Sequence, residues 1–165
     1  MGKLAAYNTD IVAWADEQAA LLRDASRHSS VASNRIDWEN IAEEIETVGR
    51  SETRAVTSAI RLIFVHLIKL TALPASPSST HWRAQIVTWL GDIREDCTPS
   101  MTGKIDCQAL WQRAIKEASI VLSDNPVARI EDLTRDCPFK LDDLLDEHFN
   151  PADAVDTLTT KDNLA

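Results

Sequence analysis

Five glutamates, Glu39, Glu43, Glu44, Glu46 and Glu52, stand within the fifteen residues WENIAEEIETVGRSE, the segment of the chain that most resembles a site for chemistry. Glu39, Glu43 and Glu46 recur at i, i+4 and i+7. At about 100° per residue in a helix, they fall within about 60° of one another, a spacing that could present three carboxylates to one cation. The same wheel sets Ile41, Ile45 and Val48 nearly opposite, so the acids are expected to face water and the aliphatics the core. Arg50 follows Glu46 by four residues and offers it an exposed pair worth a few tenths of a kcal/mol. A metal site in a helical bundle would need inward carboxylates joined to Glu-x-x-His pairs, and neither Glu43 nor Glu46 has a histidine three residues on. H-E-x-x-H is absent, and His28, His66, His81 and His148 are scattered. Scattered ligands can still meet in a fold, but no metal or cofactor is expected.

Glu52 is different, because its phase places a carboxylate inside the apolar stripe. A charge there must find a partner, shift its pKa or sit where the helix leaves the core. His66 is also expected on the core side. Fourteen residues separate the two, about 21 Å along a straight helix, so each needs partners from other helices. Arg23, His81 and Arg83 are the candidate donors, and a boundary salt bridge with a hydrogen-bonded core histidine is the competing structural account. Arg61 and His66 form Arg-x4-His, which is similar to the motif of the all-helical higher-eukaryote-and-prokaryote nucleotide-binding ribonucleases. That resemblance implies an arginine and a histidine acting on a scissile phosphate, often across a dimer, without metal. The two side chains leave a helix about 140° apart. Arg61, His66 and Glu52 are thus the candidate catalytic residues. Neither G-x-S-x-G nor a Gly-rich phosphate loop is present.

These groups must be positioned by helices. Only 4 Gly and 6 Pro occur among 165 residues, and Val, Ile and Thr form no alternating runs. Asn8, Thr9 and Asp10 can cap a first helix running to about Arg23, and the Ser-rich residues 26–36 read as a loop. Asp37 caps the longest periodic segment, about 37–71, whose apolar stripe barely drifts across Gly49. One long helix is therefore expected. Pro74 and Pro77 end it. Trp82, Ile86, Trp89, Leu90 and Ile93 mark a third helix, and Asp106 caps a fourth carrying Leu110, Trp111, Ala114 and Leu122. A short helix is expected from Pro126, and another turn or two around Leu141–Phe149. The fold class is all-α, a bundle of about four main helices with a short helical C-terminal extension. Residues 1–151 are expected to form one domain and 152–165 a polar, frayed tail.

The formal charge of −9 argues against nucleic-acid and anionic-membrane partners. Cys97, Cys107 and Cys137 are odd in number and lack C-x-x-C spacing, and the N-terminus has no apolar signal core. Both features suggest the cytoplasm. No run of about 18 apolar residues is evident, so no membrane span is expected. The five Trp sit at core phases, as helix anchors rather than stacking platforms.

In order, the segments YNTDIVAWADEQAALLR, DWENIAEEIETVGRSE, HLIKL with its proline turn, HWRAQI and CPFKLDDLLDEHFNP resemble the blocks of the bacterial domain of unknown function family 29. The similarity runs from about Tyr7 to Pro151. It implies an all-helical fold, a bacterial source and no established activity, so no catalytic residues carry over. Asp10, Trp14, Glu46, Gly49, Glu52, His66, Lys69 and Trp82 are among the matching positions. The chain departs from the pattern at residues 26–36, at Leu70, where the family usually has Trp, and at His81, where it usually has Ser. It departs again at Thr88–Leu90, where a Gln-Arg pair is common. Two functions follow as expectations. One is a non-enzymatic helical interaction module acting on a protein partner or as a homo-oligomer through an exposed Trp or Leu face. The other is a metal-independent, toxin-type ribonuclease built on Arg61 and His66.

Overall fold

In the computed structural model, residues 7–28, 36–123, 125, 128 and 133–160 are described, and every regular element among them is a helix. The helices are α1 (Ile11–His28), α2 (Trp38–Ala72), α3 (Ser79–Asp96), α4 (Pro99–Thr102), α5 (Cys107–Leu122), α6 (Leu141–Leu145) and α7 (Pro151–Thr160). They divide into two compact units. One unit is Met1–Ala55 with Cys97–Lys104, and the other is Val56–Asp96 with Ile105–Ala165. The single long helix expected at 37–71 is present as α2, contributing its first half to one unit and its second half to the other.

In the first unit, Asp10 caps α1, its Oδ1 accepting from the Ala13 N–H at 2.9 Å. α1 buries Val12, Ala15 and Ala19. Facing them from α2 are Ala42, fully buried, and Gly49, where an added Cβ would lie 3.4 Å from the Ala15 Cβ and 3.4 Å from the Val12 Cα. Small residues on both helices thus let the backbones approach closely. α4 packs on α1, with the Ser100 N–H and hydroxyl donating to the two carboxylate oxygens of Asp10 at 3.0 and 2.6 Å. Lys104 reaches Asp16 at 2.9 Å.

This packing corrects the expected orientation of α2. Ala42 and Gly49, seven residues apart on one line, form the buried seam. Ile41 and Val48, about 100° around the helix, remain 42% and 41% exposed. The acids are not simply wet either. Arg23 of α1 binds Glu39 at 2.8 Å and also pairs with Glu46, whose side chain is only 27% exposed. The physical reason is contact distance: a seam of Ala and Gly admits α1 so closely that the larger stripe is left to one side.

The second unit has the larger core. Residues 63–68 of α2 are all buried, so the helix is enclosed on every side there. Phe64, Trp111 and Phe139 pack mutually, Phe64 edge-on to Trp111 at 5.5 Å and stacked on Phe139 at 6.2 Å. The Trp111 indole N–H donates to the Thr134 carbonyl at 3.0 Å. α3 buries Trp82, Ile86, Leu90 and Ile93 and packs on α6 and α7. Asp106 caps α5 through the Ala109 N–H, as its position suggested.

Two boundaries differ from expectation. α1 continues through residues 26–28, and the remaining Ser-rich segment, 29–35, lies outside the described residues. The short helix placed from Pro126 falls mostly outside them as well. The polar tail is, over Pro151–Thr160, a helix that buries Ala154 and Leu158 at i, i+4, a pair too short to register as a periodic signal. By length and composition α2 also contains a stretch apolar enough to cross a bilayer. Within this protein 56% of that stretch is buried, as in the central helix of a bundle.

Candidate functional site

Arg61 and His66, the two catalytic candidates of the second unit, are not brought together into one site. α2 directs Arg61 toward α5, where its guanidinium pairs with Glu117. It directs His66 toward α3, where the imidazole lies edge-on to Trp89 at 4.9 Å and to Trp82 at 6.5 Å. Five helical positions set the two side chains about 140° apart, and partners on different helices keep them there. Glu52 belongs to the other unit and is exposed. Its helical phase does match Ile41, Ile45 and Val48, but in that half of α2 the aliphatic stripe itself borders solvent. A carboxylate on that line therefore needs no buried partner. Of the donors considered for it, Arg23 is committed to Glu39 and Glu46, and Arg83 is exposed.

His66 is the one charged or polar residue buried among the described positions, at 8% exposure. Its Nδ1 sits 3.0 Å from the Leu62 carbonyl, an acceptor, so Nδ1 carries the proton and Nε2 the lone pair. Burial pushes the imidazole pKa below its ordinary value, and the nearby Lys69 cation pushes the same way. Hydrogen bonds with Leu62 and the Gln85 side chain oppose them. Lys69 lies over the Trp82 ring, its Nζ 4.4 Å from the centroid, and burial lowers its pKa also. The result is a neutral imidazole held between two indoles and capped by an amide. Its interactions among the described residues are ring packing and hydrogen bonding. Gln85 and Trp89 were not singled out beside His66 in the sequence. A wheel of α3 could have found them, since Trp82, Gln85 and Trp89 lie one turn apart along one face.

The thiols are equally quiet. Burial pushes Cys107 up to about 11, helped by Cys137 and the acids Asp106, Asp143 and Asp142. No group of three or more His, Cys, Asp or Glu able to hold a metal ion occurs among the described residues.

What the structure does offer is an open groove of about 480 Å³ lined by Asp37, Asn40, Ile41, Glu44, Ile45 and Val48. Trp38, half-buried, continues its apolar line at the helix start, and its indole N–H has no hydrogen-bond partner. The described lining residues are Asp37, the N-cap, and five residues of α2 on the side turned away from the Ala42–Gly49 seam.

With this geometry established, the family model for a domain of unknown function, DUF29, matches residues 6–150. The chain belongs to the DUF29 family. The resemblance read from the sequence blocks is thereby confirmed over nearly their whole span. An alpha-helical protein of unknown function from Rhodospirillum rubrum, solved by crystallography at 1.45 Å, superposes on this DUF29 chain with a TM-score of 0.84. The two are 37% identical, and the match covers 92% of this chain and 96% of that one. Both the family and this relative are of unknown function, so the all-helical fold is shared while no activity is attached to it. None of the curated proteins matches the chain.

Proposed function

We propose that this DUF29 protein is a non-enzymatic helical interaction module that receives a protein partner on the aliphatic face of the first half of α2. The carrying observation is that Ile41 and Val48, two turns apart on one line with Ile45 between them, stay more than 40% exposed over a groove of about 480 Å³. Single exposed aliphatics are ordinary, but a contiguous row along one helix marks an interaction surface. The alternative ribonuclease has no comparable support, since Arg61 is engaged by Glu117 and His66 is enclosed by Trp82 and Trp89. The cytoplasm is the proposed location, in keeping with three cysteines that remain thiols.

The test separates folding from association. Ile41→Asp and Val48→Asp remove exposed apolar surface, so each variant should unfold within about 1 kcal/mol of the parent. Each should also abolish association with amphipathic helical peptides of either charge, read by sedimentation velocity and fluorescence anisotropy. Association unchanged in both variants contradicts the proposal.

A further inference from the structure

The groove's walls restrict what can occupy it. Among the described residues the lining comes from one helix and its N-cap, Asp37, so these residues would contact a small molecule from one side only. A second helix laid alongside can instead seat a ridge of its own side chains on Ile41, Ile45 and Val48. From Asp37 to Glu52 is about 22 Å of helix, so the partner needs about four turns.

Charge then selects the kind of helix. Among the described residues, the ionisable ones in the groove wall, Asp37 and Glu44, are both acids, and Glu52 extends their line. Among the described residues none of the three is ion-paired, whereas Glu39 and Glu46, on the far side, are neutralised by Arg23 and Arg50. Arg50 and Arg54, the cations of this half of α2, project from the opposite side of the helix, roughly 140–180° from the stripe. A second copy of this chain fits poorly. In an antiparallel pair, the register that opposes Ile41 to Val48 also opposes Asp37 to Glu52. A parallel pair sets each acid against itself. Both arrangements bring like charges together at an apolar seam. The net charge of −9 adds to this repulsion.

We infer that the groove receives a basic amphipathic helix of another protein, its apolar ridge on Ile41, Ile45 and Val48 and its Lys or Arg side chains beside Asp37, Glu44 and Glu52. The inference rests on the interaction-module reading and adds the chemistry of the partner. The probe is a fluorescein-labelled 20-residue helix with Leu at i, i+3, i+4 and i+7 and Lys flanking them, together with a twin in which every Lys is Glu. The full chain is titrated with each by anisotropy at low and at 0.5 M salt. The basic helix should bind the parent and weaken as salt rises. Val48→Asp, which keeps the negative field but removes the apolar seat, should lose it. Glu44→Lys with Glu52→Lys, both exposed positions, should weaken the basic helix by about tenfold and strengthen the acidic twin. Equal binding of both helices, with Val48→Asp abolishing both, overturns the basic partner while leaving the docking face intact. A dimer of the parent that Val48→Asp dissociates also overturns it, by making a second copy the occupant. Binding of neither helix, with Val48→Asp without effect, removes both the inference and the reading beneath it.

Discussion

Replacing Gly49 tests the packing that exposes the docking face. A Cβ at position 49 would lie 3.4 Å from the Ala15 Cβ, 3.4 Å from the Val12 Cα and 3.6 Å from the Val12 Cγ1. The usual optimum for carbon pairs is about 3.5–4.0 Å, so one methyl is just accommodated, with slight compression. Gly to Ala in a helix interior gains about 1 kcal/mol in backbone entropy, and the compression offsets part of it. Gly49→Ala should therefore fall within about 0.5 kcal/mol of the parent. Gly91, with nothing within 4 Å of its added Cβ, is the internal control, and Gly91→Ala should gain the full amount of about 1 kcal/mol. Gly49→Val adds two methyls toward the Val12 backbone, which cannot rotate away, and should lose about 1–3 kcal/mol by overpacking. For a chain of this size each kcal/mol moves Tm by about 2–4 °C, so a thermal scan with urea titration at fixed pH resolves all three variants. If Gly49→Val is tolerated as well as Gly91→Val, the Ala42–Gly49 seam is not what packs α1, and the exposure of Ile41 and Val48 loses its cause.

Other consequences are as direct. His66 binds fewer protons folded than unfolded, because its pKa lies below the ordinary 6.5. Its contribution is therefore complete above about pH 6.5 and is eroded as the pH falls below that, a slope that His66→Gln should remove from urea titrations at pH 7.5 and 5.5. At Asp10, burial raises the carboxyl pKa, but hydrogen bonds from Ala13, Ser100 and Thr98 outweigh it and hold the value below 3.8. Stability from Asp10 is thus present above about pH 3.8 and lost as the pH falls through the lower folded value. Asp10→Ala should cost about 2 kcal/mol at pH 7, measured by the same titration. With its thiol raised to about 11, Cys107 should resist iodoacetamide at pH 7.5 in the folded protein and react once urea unfolds it, as peptide mass spectrometry can follow.

Much of the fold was legible because the strongest signals are local. Asp10 and Asp106 cap the helices they precede, and the stripe across Gly49 gives one helix rather than two. What local periodicity does not carry is which side of an amphipathic helix finds a neighbour. Ile41, Ile45 and Val48 outrank Ala42 and Gly49 in hydrophobicity, yet the smaller pair packs, because α1 presents Ala15 and Ala19 and rewards close approach. The signal was in the sequence as two small-residue lines, one on each helix, but it is visible only when the helices are considered together. The same blind spot misplaced Glu52. Its phase was right and its environment wrong, since the stripe it shares is open to solvent. His66 was correctly placed on the core side, but its companions Trp82, Gln85 and Trp89 come from α3, and only the tertiary structure joins them.

The most direct measurement of the central claim is the anisotropy titration of the parent and Val48→Asp with the basic amphipathic helix, with each protein's unfolding transition recorded alongside. Saturable binding to the parent, its loss in Val48→Asp and matching unfolding transitions are the predicted result. Equal binding by two equally stable proteins would contradict a docking face on the first half of α2.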